Sequence, residues 1–280
     1  KFVVIGAGAA AMACIQLYEA LGARHENFLL FDKKGVLHKG RTDMEEFKLR
    51  FANAKGEMTL AQAMKDADVF IGLSAGNLVT ADMVKSMAKN PIVFAMANPD
   101  PEISWEAATG ARKDVIMATG RSDYPNQVNN VLGFPYIFRG ALDVRARHIN
   151  EAMKLAAVKA LAELARTPVP DIVNMAYNES NITFGPNYII PKPLDPRLLS
   201  TVAPAVAKAA MESGEAQSPI TNWPAYVTEL NKRLGLDNQV MRILGNKARR
   251  DPKRIVFAEA DNVKVLKAAQ IVFDDGIGYP

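Results

Sequence analysis

The 280-residue chain has one cysteine, Cys14. A single thiol excludes an intrachain disulfide and suits a reducing compartment, so a cytoplasmic protein is expected. Histidine is also scarce, at three residues. Paired cysteines, His-Glu-x-x-His and other dense ligand clusters are missing, which excludes the common zinc motifs. No apolar run reaches the roughly 18 residues that a membrane-spanning helix needs. Charge has little bias: 34 basic against 30 acidic residues leave +4. The basic residues are scattered and not interleaved with aromatics, which argues against nucleic acid as a partner. The remainder, 49% apolar and 23% charged, is ordinary for a globular chain of one or two domains.

The first half alternates short β-branched apolar runs with helical stretches. Strands are expected at Phe2–Ile5, Phe28–Phe31, Val69–Leu73, Ile92–Ala95 and Val115–Ala118. Helices are expected at Ala9–Leu21 and Thr80–Lys89. This alternation predicts an α/β fold, a Rossmann-like, doubly wound parallel sheet with strands buried on both faces. From 150 the period changes. Asn150–Arg166 and Arg197–Ser213 read as amphipathic helices, a helical extension of the first domain. A Pro-dotted stretch between them, "FGPNYIIPKPLDP", is too rich in proline for a central strand. "EAQSPITNWPAY" reads as an exposed connector, with helical pieces over Tyr226–Arg250. Arg254–Ala260 and Val263–Asp274 read as the opening strand and helix of a second α/β domain.

The segment Gly6-Ala7-Gly8-Ala9-Ala10-Ala11 fits G-x-G-x-x-G/A between a strand and a helix. Gly6 permits the tight turn, Gly8 lets a pyrophosphate reach the backbone, and Ala11 lets helix and strand pack closely. The helix N-terminus then attracts phosphate. Asp32 ends the second strand at the spacing of a ribose-binding carboxylate. Lys33, Lys34, Lys39 and Arg41 beside it suit a 2′-phosphate, so spacing leaves NADP and NAD both open. Three further loops end the third, fourth and fifth strands in polar residues: "IGLSAGN" with Ser74, "MANPDP" with Asn98, and "ATGRSDYPNQVNN" with Arg121, Asn129 and Asn130. Open α/β sheets bind ligands at such strand ends. Neutral amides orient a nicotinamide or a carboxylate without competing charge, and Arg121 suits a carboxylate clamp. His25, His38 and His148 follow no strand end on that edge and read as structural, and Cys14 reads as core. The residues thus give a cofactor site and half a substrate pocket, without an acid or base.

At these same segments, together with "FDKKGVLHKGR" and "FPYIFRGALDVRARHINEAMKLAAVKALAELA", the chain resembles the malic enzymes. It is most similar to the bacterial multidomain NADP-type enzymes that carry a phosphotransacetylase-like domain at the C-terminus. The resemblance implies oxidative decarboxylation of L-malate to pyruvate and CO2, with NADP+ reduced and Mg2+ or Mn2+ bound. It implies that Gly6–Ala11 is the dinucleotide turn, that Asn98 serves cofactor and substrate, and that Asn130, with Asn129 beside it, meets the malate carboxylate. It places the family's acid, base and metal carboxylates before the dinucleotide turn, so no catalytic acid, base or metal ligand is assigned in this chain. The chain is accordingly expected to be one piece of a longer enzyme. The implied organisation is a dinucleotide domain at 1–148, a helical extension at 149–214, a linker at 215–236 and the start of the phosphotransacetylase-like domain at 237–280. A homo-oligomer and acetyl-CoA as effector are implied as well. Two other readings stay open: a different two-domain NAD(P)-dependent dehydrogenase, or a non-catalytic dinucleotide-binding module.

Overall fold

The computed structural model describes residues 1–179, 181–234, 244, 247–259, 261–274 and 276–280. They form two compact units, Lys1–Pro219 and Ile220–Pro280. The first unit is built on a six-stranded sheet. Its strands are β1 (Phe2–Ile5), β2 (Phe28–Asp32), β3 (Gly35–Val36), β4 (Val69–Gly72), β5 (Ile92–Ala95) and β6 (Ile116–Thr119), in the order β3-β2-β1-β4-β5-β6. All pairings are parallel except β2 with β3, a two-residue hairpin edge that the apolar pattern did not disclose. The expected doubly wound parallel sheet is therefore present, with strand limits shifted by a residue.

Alternate side chains of each strand feed different cores, as the two-residue period requires. Val3, Ile5, Leu29, Phe31, Phe70, Val93 and Met117 pack on one face, against Met64, Val84, Met87 and Ala108. Met64, Val84 and Ala108 come from helices α3 (Leu60–Met64), α4 (Ala81–Lys85) and α5 (Trp105–Ala111), and Met87 lies just past the end of α4; these helices follow α1 (Ala9–Ala20) and α2 (Glu46–Leu49) in the chain. Val4, Leu30 and Ile71 point to the other face and meet Ala11 and Ile15 of α1. Thr59, Thr80 and Ser104 each accept a backbone N–H and cap α3, α4 and α5. These caps start the short helices where their apolar faces meet the sheet.

Beyond β6 the chain becomes helical: α6 (Phe134–Asp143), α7 (Glu151–Arg166), α8 (Asp171–Ala176) and α9 (Arg197–Glu212). Asn150 caps α7 through its side chain. The expected helices at 150–166 and 197–213 are both present, and α6 and α8 are additions. Helices α6 and α9 pack closely because Gly140 has no Cβ. A Cβ there would strike the Ala203 carbonyl and come within 2.9 Å of Val206 Cβ. Arg197 fastens the extension by gripping buried Asp195 at 2.6 Å and the Pro168 carbonyl at 2.7 Å.

In the second unit α10 (Trp223–Arg233) fills part of the stretch read as connector, because Asn222 caps a helix whose first turn accepts Pro224. Strands β7 (Lys253–Arg254) and β8 (Gly278–Tyr279) pair in parallel, with a helix at Val263–Asp274 between them. The expected strand–helix order is present, but the strand is shorter than the expected Arg254–Ala260. Pairing to β8 covers only two residues, and Val256 stands 96% exposed. Residues 235–243, 245, 246 and 260 lie outside the described set, so the expected helical pieces are seen only in part.

Gly140→Ala should lower stability by about 1–3 kcal/mol, the usual cost of overpacking a tight contact. A denaturant midpoint equal to that of the parent would show that α6 and α9 do not depend on this approach.

Candidate functional site

Parallel strands bring the carboxyl ends of β1, β2, β4, β5 and β6 to one edge. Strand β1 lies between β2 and β4, so the chain departs from it at the point where strand order reverses. Gly6 occupies that crevice with φ +103°, a conformation that favours glycine. Its amide donates to the Phe31 carbonyl at 2.9 Å, and a Cβ would strike the Leu73 carbonyl. Gly8 faces open space and begins α1. No side chain caps that helix, and its first turn holds no acidic residue. Its free N–H groups and positive dipole end are therefore available to an anion. Ala7 is half-buried, Ala9 and Ala10 are exposed, and Ala11 is buried against the sheet, as close packing demands.

Two clefts open on this edge. The first is lined by Gly6, Ala7, Gly8, Asp32, Lys33, Lys34, Arg41, Asp43, Glu45, Lys48, Leu73 and Ser74. The second is lined by Met96, Ala97, Asn98, Pro99, Pro101, Gly120, Arg121, Val128, Asn129 and Asn130. Every expected site residue other than Lys39, Ala9, Ala10 and Ala11 lines one of the two. Lys39 lines a different cleft with His25 and Phe51, so it is not brought to the glycine turn with Lys33, Lys34 and Arg41, while the three alanines supply the adjoining helix N-terminus. None of the three histidines lines either cleft. His25 pairs with Glu19, His38 accepts from the Gly40 amide, and His148 lies 3.3 Å from Glu215. Cys14 is partly buried, and burial raises its thiol above the ordinary value.

The first cleft is organised by charge. Arg41 grips Asp32 in a two-pronged pair, at 2.9 and 3.1 Å, while the Lys34 amide donates to the same carboxylate at 2.9 Å. Both side chains are mostly covered, at 10% and 12% exposure, so this pair escapes much of the screening of surface ion pairs. Burial pushes the Asp32 carboxyl up, but Arg41, the Lys34 amide and Lys48 outweigh it and hold it below its usual range. The contribution of this pair is present above the unfolded-state value of about 3.9 and is lost as pH falls through the lowered one. Arg41 also binds Asp43, and Lys34 reaches Asp43 at 2.8 Å. Lys33 is exposed and forms no ion pair among the described residues. Asp32 thus has less capacity for a ribose hydroxyl than its spacing suggested, because Arg41 and Lys34 already occupy it.

In the second cleft the two neighbouring asparagines differ. Asn129 turns its Oδ1 to the Val131 amide at 3.0 Å and caps a short 3-10 turn, Asn130–Leu132. The side chains of Asn130 and Asn98 are exposed and make no hydrogen bond among the described residues. Arg121 is the one ionisable side chain in the lining. It pairs with Asp123 at 2.7 Å and stacks on Tyr124. Asn126, buried at φ +55°, donates to the Met117 and Pro186 carbonyls and accepts from the Ile189 amide. It ties the Pro-rich stretch to the base of this loop.

Lys48, Glu102 and Asn126 were missed by sequence reasoning. Lys48 arrives from α2 and reaches within 4.0 Å of Asp32, a contact that no strand-end spacing encodes. Asn126 had a weak signal, a left-handed turn in a Pro-Asn-Gln segment. Among the described residues no group of three or more His, Cys, Asp or Glu is placed to hold a metal ion, and no helix is long and apolar enough to cross a membrane.

Residues 1–175 match the family model described as malic enzyme, NAD binding domain. The chain is 56% identical, over 96% of its length, to an NADP-dependent malic enzyme of Rhizobium meliloti, of which it covers 36%. It is 47% identical over its whole length to an NAD-dependent malic enzyme of the same organism, of which it covers 37%. The chain therefore spans little more than a third of these curated relatives. Its structure is similar to the crystal structure of the Entamoeba histolytica malic enzyme, with a TM-score of 0.72, 34% identity, and coverage of 86% of this chain and 49% of the other. A sheet with its glycine turn at the reversal point, two clefts on one edge and this match over residues 1–175 lead to one conclusion: the chain belongs to the malic enzyme family and carries its NAD-binding domain.

Proposed function

We propose that this chain is the cofactor-binding part of an enzyme that oxidatively decarboxylates L-malate to pyruvate and CO2 while reducing NADP+. The observation that carries the reading is the pair of clefts on one sheet edge, one cationic beside the glycine turn and one lined by neutral amides. In this reading Gly6, Ala7, Gly8 and the first turn of α1 from Ala9 to Ala11 hold the pyrophosphate. Lys33 and Lys34 meet the 2′-phosphate, aided by Arg41, whose grip on Asp32 cancels a charge that would repel it. Ser74 borders the ribose path. A bound nicotinamide supplies the hydride acceptor. Asn98 and Asn130 orient it and the malate, and Asn129 holds Asn130 in place by capping the turn.

The second cleft offers Arg121 alone as an ionisable group, and a guanidinium stays protonated, so it can bind a carboxylate but not remove a proton. In this reading, as the resemblance implies, the acid, the base and the ligands of Mg2+ or Mn2+ come from the part of the relatives that this chain does not span. The same reading takes residues 237–280 as the beginning of a phosphotransacetylase-like domain. It includes a cytoplasmic homo-oligomer with acetyl-CoA as an effector.

The full-length protein should form NADPH from NADP+ only when malate and a divalent cation are both present. Turnover of glutamate or a methylene-tetrahydrofolate instead of malate would contradict the proposal. Asn130→Ala should raise the malate KM or lower kcat by about tenfold, the value of one or two lost hydrogen bonds, with dinucleotide affinity nearly unchanged. Unchanged malate kinetics would remove Asn130 from the site. Lys33→Ala should weaken NADP+ by about three- to tenfold, and NAD+ by much less, since one exposed charge-assisted contact is lost. Lys34→Ala should do the same to a smaller degree, because Asp43 already holds that ammonium. Equal losses for both dinucleotides would show that these lysines do not read the 2′-phosphate.

A further inference from the structure

Glu102 is fully buried, yet it forms no ion pair among the described residues. Its Oε1 accepts the Ser74 amide at 3.1 Å and its Oε2 accepts the Ala97 amide at 3.1 Å. The two donors come from different loops. Ser74 follows β4 and lines the cationic cleft, whereas Ala97 follows β5 and lines the amide cleft beside Asn98. Gly72 makes the room, since a Cβ there would strike the Glu102 carboxylate. The backbone repeats the link: the Asn77 amide donates to the Pro101 carbonyl at 3.0 Å, and the Val79 amide donates to the Glu102 carbonyl at 2.9 Å.

A carboxylate is the one side-chain group that accepts at both ends. Glutamine would present an acceptor to one loop and N–H to the other. Burying a carboxyl group with no cation beside it is costly, so ordinary packing does not explain its choice. We propose that Glu102 is a positioning residue that sets the spacing between the two clefts, so that a single dinucleotide can lie across both. The proposal rests on the reading of those clefts as the two ends of one cofactor site. Glu102 itself touches neither the cofactor nor the substrate. It acts through the Ser74 and Ala97 amides.

A ligand that spans the clefts should depend on Glu102, and a ligand that fills one should not. The test is titration of the full-length protein and its Glu102→Gln variant with NADP+ and with adenosine 2′,5′-bisphosphate, which carries only the adenosine end. One buried amide left without an acceptor predicts about tenfold weaker NADP+ binding. The half-ligand should stay within about twofold, as expected for an uncoupled site. Equal losses for both ligands, or none for either, would overturn the proposal and leave the cofactor reading intact. Failure of the unsubstituted protein to bind NADP+ would overturn the cofactor reading, and this proposal with it. If Glu102→Gln does not fold, Glu102→Asp carries the same comparison. It keeps two acceptors but retracts them by one methylene, so a loss confined to NADP+ supports the spacing role and a uniform loss contradicts it.

Discussion

Strand β1 has hydrogen-bonded neighbours on both sides, and the site depends on this constraint. Because β2 and β4 flank it in parallel, the chain leaving β1 meets a crevice between diverging loops. Only a residue without a Cβ fits there, since the Leu73 carbonyl already occupies the space beside Gly6. Once that turn is made, α1 begins with its open N–H groups on the carboxyl edge. Every later strand adds a loop to the same edge. Burial of alternate side chains on both faces fixes the register, because a slip by one residue would exchange the two cores.

Electrostatics then divides the edge into unlike halves. Around the glycine turn the charges are dense but largely matched, with Arg41 shared between Asp32 and Asp43 and Lys34 drawn to Asp43. Matching keeps cations close together without strong mutual repulsion, and among the described residues it leaves Lys33 as an exposed cation of this lining without an ion pair. Around Asn98 and Asn130 the lining is nearly neutral. A neutral cleft orients polar ligands through direction of hydrogen bonds, not through net attraction. The buried carboxylate of Glu102 lies between these halves and is bound to the backbone of each.

Much of this was legible in the sequence. The strand–helix alternation, the Gly6–Ala11 turn and the polar strand ends at Ser74, Asn98 and Asn130 all follow from local patterns. So does the close packing of Ala11. What was not legible depends on contacts between distant segments. Lys48, from α2, lies 4.0 Å from Asp32 across 16 positions of sequence, and Arg41 meets Asp32 only once β3 has reversed the chain. Glu102, just after "NPDP", carries no local signal, because its partners are amides from two loops. Asn129 and Asn130 both line the cleft, yet Asn129 caps a turn while the Asn130 side chain makes no hydrogen bond among the described residues, a difference that adjacent identical residues do not signal. The strand expected over 254–260 was overestimated because the apolar run Ile255-Val256-Phe257 follows Lys253 and Arg254, the two residues that pair with β8.

The central claim is that one dinucleotide lies across both clefts of the carboxyl edge. Backbone hydrogen exchange of the full-length protein, with and without saturating NADP+, tests it most directly. The account predicts simultaneous protection at 6–11, 73–77, 96–98 and 128–131. Protection confined to one of these loops, or found only away from the sheet edge, would contradict it.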